Sequence, residues 1–383
     1  MISSKSKKAS IKDIELNPHK FVEHLDKLAV LARGGDVYPS TVELDLVSFC
    51  NHHCEWCVDP QHTNHRLETS FACRLLSELN GIGVKGIVFK GGGEPTLHPD
   101  FKKILSYAQD LGLEVGVITN GSQLIQCYDA VVTYANYLRV SIDGPTETSH
   151  AHVHGSHDFS QIITGIQEVV TRRNQRRKRH PIIGLSFAMD HSLINEVGQA
   201  VRLGDMLGVN YIMFRPPFFE EVGQCNTMSP SEKQQLFQVF EQERAAYIGP
   251  MEIFIDYWIS DSETAYGIST GDSPRRGRFC QSNGNGIEHV TQRCLASPLL
   301  AVVTADKQVY PCCNLRFLEE WSVGTICYDQ GMDFKAIWSG EQRKTIMDRI
   351  HHVACLKYCT HPLSKYNEII EYLNSPRYHK GFI

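Results

Sequence analysis

The stretch VELDLVSFCNHHCEWC, residues 42–57, joins an apolar run to a tight group of cysteines. Residues 42–47 are typical of a short strand, and Cys50, Cys54 and Cys57 follow directly after it. Three thiolates on a loop past a strand can bind three corners of a four-iron cluster, which leaves the fourth iron without a protein ligand. A zinc site completed by a residue such as His53 is the alternative, because zinc also prefers thiolate and imidazole ligands.

Beyond these cysteines, short β-branched runs alternate with helix-length segments. Six strands, each followed by such a segment, predict a parallel α/β sheet with right-handed crossovers. Ligands of these sheets gather at the carboxyl ends of the strands, where the cysteines, residues 91–95 and residues 143–144 are expected. The expected strands cover 42–47, 86–89, 114–119, 137–142, 182–187 and 211–214; the expected helices lie near 70–79, 99–111, 123–133, 159–173, 195–207 and 231–246.

The length and composition describe a folded chain of two or three units: 383 residues, 42% hydrophobic and 21% charged. The net charge of −5 gives no reason to expect generic nucleic-acid binding. No apolar stretch is long enough to cross a bilayer, so we expect no membrane association. Thirteen cysteines without a secretory signal favour metal binding in a reducing, cytoplasmic setting over disulfide pairing.

Changes in composition divide the chain into four regions. Residues 1–40 form a lead-in with one helix-like segment near 18–31, and residues 41–250 carry the alternating pattern. Residues 251–293 are expected to be a linker or long loop, and within them residues 260–293 are rich in Gly, Ser, Asp and Arg. Residues 294–383 form a small cysteine-rich unit with a hairpin of strands 299–304 and 308–311 and a helical stretch near 334–350, and metal is expected to hold it together.

The cysteine pattern C-x3-C-x-aromatic-C, with Trp56 as the aromatic residue, resembles the radical S-adenosylmethionine (SAM) superfamily. The segment Gly92-Gly93-Glu94-Pro95 matches the GGEP motif of that family. The resemblance implies a six-strand partial (β/α)6 barrel and a [4Fe–4S] cluster whose unique iron binds SAM. Reduction by one electron would cleave SAM to methionine and a 5′-deoxyadenosyl radical. The GGEP segment would hold the methionyl amino group of SAM.

The same resemblance places further residues beside SAM. Ser141 is the candidate for contacts to the SAM carboxylate and ribose, and Trp56, Asn120, Asp143 and Arg215 are expected nearby. A structural salt bridge is an equal alternative for Arg215. Many relatives have an arginine before a glycine after this point, whereas here His154 precedes Gly155. We expect the alternating His150, His152 and His154 to be solvated in a polar loop and not to bind metal.

The C-terminal cysteines resemble the SPASM or shorter twitch extension of radical SAM enzymes, which carries auxiliary [4Fe–4S] clusters. One auxiliary cluster is expected, bound by Cys294, Cys312, Cys355 and Cys359, with zinc as the alternative. Three further cysteines could replace one of these ligands or act as an acid or hydrogen donor in the active site: Cys280, Cys313 and Cys327. The scattered cysteines are expected to be small buried apolar residues: Cys73, Cys127 and Cys225.

The implied function is hydrogen abstraction from a small polar metabolite, such as a sugar, aminocyclitol or nucleoside, for dehydrogenation or epimerisation. A flavodoxin or ferredoxin would supply the electron. Modification of a ribosomal peptide is the alternative, although the 49 residues before Cys50 are fewer than a leader-binding domain needs. A zinc-structured protein that binds nucleic acid through the basic run 171–180 is the alternative from another class.

Overall fold

The computed structural model describes residues 18–57, 59, 62–188, 191–215, 229–255, 294–350 and 370. A parallel sheet forms the centre of this part of the chain, and all six expected strands are present in it. Each of them pairs with the next along the sequence, as a partial barrel requires. The strands are β1 Thr41–Leu44, β2 Gly86–Phe89, β3 Glu114–Thr119, β4 Tyr137–Ser141, β5 Ile182–Ala188 and β6 Tyr211–Arg215.

A seventh parallel strand, β7 Glu252–Ile255, pairs with β6. The expectation of a linker or loop from residue 251 is therefore wrong for these four residues, whose short apolar run is completed as a strand by its neighbour in the sheet. Residues 256–293 lie outside the described part of the chain.

Amphipathic helices cover the outside of the sheet, because their apolar stripes pack on the outward-facing strand residues. A 3-10 helix, Pro18–His24, and helix α1 precede the first strand. The helix over residues 147–154, α5, was not predicted from the sequence. The helices are α1 Leu25–Leu31, α2 Thr69–Gly81, α3 Phe101–Asp110, α4 Leu124–Tyr134, α5 Glu147–His154, α6 Phe159–Gln175, α7 Val197–Leu207 and α8 Pro230–Ala246.

The floor of the barrel is filled from inside by aromatic residues. A Cβ at Gly116 would lie 2.3 Å from the Tyr137 ring, and a Cβ at Gly184 would lie 2.0 Å from the Tyr211 ring. Glycine is therefore needed at both positions so that the two tyrosines can cross the barrel. Because the amino end of the barrel is closed in this way, ligands are directed to its carboxyl end.

Residues after 293 extend the same sheet. Strand β8 Leu300–Val303 pairs in parallel with β1, and β9 Gln308–Tyr310 returns antiparallel to it, which confirms the expected hairpin. The two-residue strand β10 Gly324–Thr325 pairs with β9. The expected helix near 334–350 is two helices, α9 Phe334–Ser339 and α10 Glu341–Arg349, separated at Gly340.

Candidate functional site

The three cysteines lie on the loop after β1, along the end of helix α5. The backbone N–H of His53 donates to the His154 carbonyl, and that of Glu55 donates to the Val153 carbonyl, both at 2.9 Å. All three cysteines are free thiols and half-buried. Helix α5 therefore holds the loop so that the sulfurs lie at the mouth of the barrel.

The spacing of the sulfurs fits a large cluster better than a single zinc ion. Ligand atoms around one zinc ion lie close together, since each Zn–S bond is about 2.3 Å. Within the described residues, the three cysteine sulfurs do not form a group in which all atoms lie within 4.8 Å of one another. His53, the expected fourth zinc ligand, is exposed. The donor set of three separated thiols is suited to a four-iron cluster with one open corner.

Burial disfavours the charged form of each thiol. It raises the pKa of Cys50 to about 11 and raises the pKa of Cys54 and Cys57 as well. Metal binding requires thiolates, so cluster assembly must displace these protons. The three residues are accordingly suited to bind iron and unsuited to act as free nucleophiles.

The glycine run packs directly on the cysteine loop. The Glu94 N–H donates to the Phe49 carbonyl at 3.0 Å. A Cβ at Gly93 would lie 2.2 Å from that same oxygen, and a Cβ at Gly92 would lie 2.6 Å from the Phe317 ring. Glycine thus allows the ends of β1 and β2 to approach backbone to backbone, and the two motifs form one surface.

Glu94 holds this surface to the end of β3. Its buried carboxylate accepts hydrogen bonds from Thr119 Oγ1 at 2.6 Å, the Asn120 N–H at 2.7 Å and the Thr96 N–H at 3.0 Å. Burial raises its pKa, and these donors act against that rise. Pro95 begins the 3-10 turn that follows. The Glu94 side chain therefore positions the motif, and the backbone of the glycines remains as its binding surface.

Asn120 joins the third strand to the cysteines. Its Nδ2 donates to Asn51 Oδ1 at 3.0 Å and approaches Cys50 Sγ at 3.7 Å. Ser141 ends β4 and is half-buried, and Trp56 packs on the main core. The structure thus brings the expected residues of four strands to one mouth.

Asp143 forms hydrogen bonds with other protein groups at this mouth. Its φ is 54°, and its Oδ1 accepts the Ala188 N–H at 2.5 Å while Oδ2 lies 3.0 Å from His154 Nε2. Burial opposes ionisation, but the His154 contact and the nearby Arg215 charge lower the pKa of Asp143. The charge of Arg215 acts on Asp143, and both roles given for Arg215 stay predictions.

The expectation that the histidines of residues 150–154 are solvated is wrong for two of them. His150 and His154 are buried, and their rings stack at 4.4 Å, whereas His152 is exposed. They lie four residues apart on one face of α5, so the helical period turns both inward. His154 Nδ1 lies 3.3 Å from Cys54 Sγ and 3.0 Å from His52 Nδ1.

A group of charges lies beside the glycine run, where Asp45 accepts the Gly92 N–H, and was missed in the sequence. Glu43 contacts Lys90 Nζ at 2.9 Å and Arg316 Nη2 at 2.6 Å, and Arg316 Nη1 lies 3.4 Å from Asp45. Burial raises the pKa of Asp45 to about 6. The available signal was the pair of acidic residues at alternate positions of an otherwise apolar strand.

Cys312 and Cys313 lie beside this charged group. A hydrogen bond from Cys312 lowers the pKa of Cys313, which also experiences the charges of Glu43 and Lys90. Cys294 is half-buried, and its N–H donates to the Ile350 carbonyl at 3.0 Å. Cys327 precedes Tyr328, whose ring packs on Phe71 of α2. Cys127 of α4 is buried as expected, whereas the expectation is wrong for Cys73, which is only half-buried on α2. The remaining expected cysteines lie outside the described residues: Cys225, Cys280, Cys355 and Cys359.

The basic run at the end of α6 is partly structural. Arg173 is buried and donates from Nη1 to Asn210 Oδ1, and Arg176 pairs with Asp129 at 2.6 Å. These two side chains hold the end of α6 against neighbouring elements, which weakens the case for a nucleic-acid surface.

Comparison with known proteins relates this parallel barrel, with its cysteines and glycine run at one mouth, to a known superfamily. Residues 45–176 match the family model of the radical SAM superfamily. An AdoMet-dependent heme synthase of Methanosarcina barkeri is 24% identical over 314 residues, which cover 79% of this chain and 83% of the synthase. A PqqA peptide cyclase of Methylorubrum populi is 27% identical over 187 residues, 44% of this chain and 45% of the cyclase.

Among solved structures, Streptococcus suis SuiB bound to S-adenosylmethionine has a TM-score of 0.60 at 12% identity. The structural match covers 87% of this chain and 74% of SuiB. Residues 45–176 thus match the radical SAM superfamily, whose cofactors are a [4Fe–4S] cluster and SAM, and the fold of the described residues agrees with that of SuiB. Within the described residues, no helix is long and apolar enough to cross a membrane.

Proposed function

We propose that this enzyme cleaves SAM reductively and removes a hydrogen atom from a small polar substrate, which is thereby dehydrogenated or epimerised. The observation that carries the proposal is the direct packing of Gly93 on the backbone of the cysteine loop. It makes one continuous surface from cluster ligands and the glycine run. When bound there, the cluster and SAM supply a 5′-deoxyadenosyl radical.

Different residues at the mouth would bind the cluster and SAM. Cys50, Cys54 and Cys57 hold the cluster, and the glycine backbone with Ser141 orients SAM at the ends of β2 and β4. The filled barrel floor keeps water from entering at the amino end. A primary radical attacks almost any C–H bond, so positioning one substrate hydrogen is the main contribution of the protein.

The charged group at the mouth supports a polar substrate. Glu43, Asp45, Lys90 and Arg316 pair with one another, and a polar lining of this kind suits a hydroxyl- or amine-bearing molecule better than an apolar one. Cys313 lies beside these groups and is the candidate donor of a proton or hydrogen atom to the substrate. We place the auxiliary cluster on Cys294, Cys312, Cys355 and Cys359, as an acceptor for the electron left on the substrate.

Modification of a peptide is the second candidate function. The match to a PqqA peptide cyclase favours it, because that relative acts on a peptide. The two candidates differ in what would enter the mouth: a whole small molecule, or one side chain of a longer chain.

The first test is SAM cleavage by anaerobically reconstituted protein. We expect 5′-deoxyadenosine from the wild type and none from Cys54→Ala, while Cys355→Ala should cleave SAM without forming product. Cys73→Ala, which changes a half-buried residue of α2, is the matched control and should behave as wild type. Cleavage by the Cys54→Ala protein, or zinc without iron and sulfide, would overturn the proposal.

The second test identifies the substrate class by deuterium transfer into 5′-deoxyadenosine. Deuterated aminocyclitols, sugars and nucleosides are compared with deuterated peptides under the same conditions. Label from a small molecule supports the proposal, whereas label from peptides alone assigns the enzyme to peptide modification.

A further inference from the structure

A cluster of imidazole and carboxylate groups lies behind the cysteine loop. His52 comes from the loop, His150 from α5, and Asp158 from the residue before α6. His52 Nε2 lies 2.8 Å from Asp158 Oδ2, and His150 Nε2 lies 3.5 Å from Asp158 Oδ1. One atom from each of the three residues falls within a group whose members all lie within 4.8 Å of one another.

His150 presents an unused lone pair to this group. Its Nδ1 lies 2.8 Å from the Ile142 carbonyl oxygen, which can only accept, so Nδ1 carries the ring proton. In the neutral ring the Nε2 atom is then unprotonated; this atom is buried and has no hydrogen-bond partner. A buried nitrogen that faces a carboxylate without a proton between them needs another partner.

A row of close contacts continues from this group. Asp158, His52, His154 and Asp143 are joined at 2.8, 3.0 and 3.0 Å. His52 therefore belongs both to this row and to the group of imidazole and carboxylate donors.

We propose that His52 Nε2, His150 Nε2 and the Asp158 carboxylate bind a divalent transition-metal ion of the zinc class, separate from the iron–sulfur clusters. Two imidazoles and one carboxylate are a known zinc donor set, with water as the fourth ligand. The Asp158 side chain is 19% exposed, so water can reach that side. The hydrogen bond from His150 to the Ile142 carbonyl is the arrangement by which proteins orient metal-bound histidines.

A second compact group, His52, Cys54 and His154, shares one residue with this site. Metal there would remove Cys54 from the three-cysteine set. The site at Asp158 leaves all three cysteines available, so both centres can be filled together. The ion would join the cysteine loop to the start of α6 and act as a structural link.

The test is elemental analysis of the full-length, cluster-reconstituted protein after exposure to a mild chelator. We expect about one zinc per chain in addition to the iron. His150→Gln and Asp158→Asn should weaken zinc binding at least tenfold. His152→Gln changes an exposed histidine of the same helix and should leave zinc unchanged. Wild-type protein without zinc, or full zinc content in His150→Gln, overturns the proposal.

Zinc-edge X-ray absorption on the wild type gives a measurement that needs no variant to fold. Nitrogen and oxygen scatterers alone support the site, and a sulfur scatterer overturns it by placing the zinc on cysteine. Cys57→Ala separates this proposal from the proposed function: SAM cleavage should be lost while zinc is retained. Loss of zinc together with the cluster in that variant overturns a separate site.

Discussion

Asp45 is a buried carboxyl group at the mouth of the barrel, and its raised pKa reflects the free-energy cost of burying its charge. It lies just past β1, accepts the Gly92 N–H at 3.3 Å and is 1% exposed. Burial raises its pKa from 3.8 to about 6, even though Arg316 is nearby. The folded state therefore binds this proton more tightly than the unfolded chain does.

The stability contributed by Asp45 is greatest below pH 3.8 and declines as the pH rises through about 6. Asp45→Asn remains neutral and avoids this decline, which corresponds to roughly 3 kcal/mol. We expect the variant to gain Tm relative to wild type at pH 7.5 and to gain about half as much at pH 5. Differential scanning fluorimetry at the two pH values checks this, and an equal difference at both would contradict it.

Gly93 is a second single residue on which the site depends. In Gly93→Ala the new Cβ meets the backbone oxygen of Phe49 at 2.2 Å, and a backbone atom cannot rotate away. We expect a loss of about 1–3 kcal/mol in stability together with reduced iron and sulfide per chain. Gly81→Ala, where a Cβ meets nothing within 4 Å, is the control and should retain its iron. Normal iron content in Gly93→Ala would show that the cysteine loop can move away from the glycine run without losing the cluster.

At the scale of elements, helix α5 is the piece that organises the site. It begins with a capping box between Thr146 and Ser149 and ends at Gly155 in the left-handed conformation. It carries both buried histidines and supports the cysteine loop through two backbone hydrogen bonds. The element most important for the cysteines is thus a short helix rather than a strand.

Removing the cap should loosen this helix. Thr146→Ala is expected to lower the free energy of unfolding by about 1 kcal/mol, because the Ser149 N–H loses its acceptor. Thr164→Ala, at an exposed position within α6, is the matched control and should change it by less than about 0.5 kcal/mol. Chemical denaturation of both variants measures the difference, and equal midpoints would contradict the role of the cap.

At the scale of the whole molecule, the C-terminal part and the barrel share one sheet. Strand β8 pairs with β1, so residues far apart in sequence form adjacent strands. Arg316 adds a buried ion pair from the C-terminal part to Glu43 of β1. The two parts are therefore joined by both backbone and side-chain contacts within the described residues.

Arg316→Met should cost about 3–5 kcal/mol, because it leaves Asp45 buried without its cation and leaves Glu43 with Lys90 alone. Arg244→Met, which breaks an exposed pair with Glu241, should cost less than about 1 kcal/mol. The double variant Glu43→Gln/Arg316→Met should recover part of the loss. Thermal unfolding measures all three, and a neutral Arg316→Met would show that the pair does not link the two parts.

The sequence predicted the six parallel strands, their flanking helices and the grouping of cysteines, glycines and Asp143 at one mouth. These follow from local periodicity and from the rule that ligands gather at strand ends, both of which act over short stretches of chain. The sequence did not predict α5. One face of this helix becomes buried only when the cysteine loop packs against it, and that contact leaves no mark in the local sequence pattern. The strand β7 was missed for a similar reason, since its four residues are ordered by β6.

The sequence by itself determined the chemistry that the donors allow: separated thiols for an iron–sulfur cluster and glycines for close backbone approach. The tertiary structure alone decided which charged groups meet, such as Arg316 with Glu43, and which histidines are buried. Contacts of this kind join residues from distant elements, and their energies depend on burial and geometry that no local pattern contains. The row from Asp158 to Asp143, and with it the proposed zinc site, exists only because three separate segments fold onto one another.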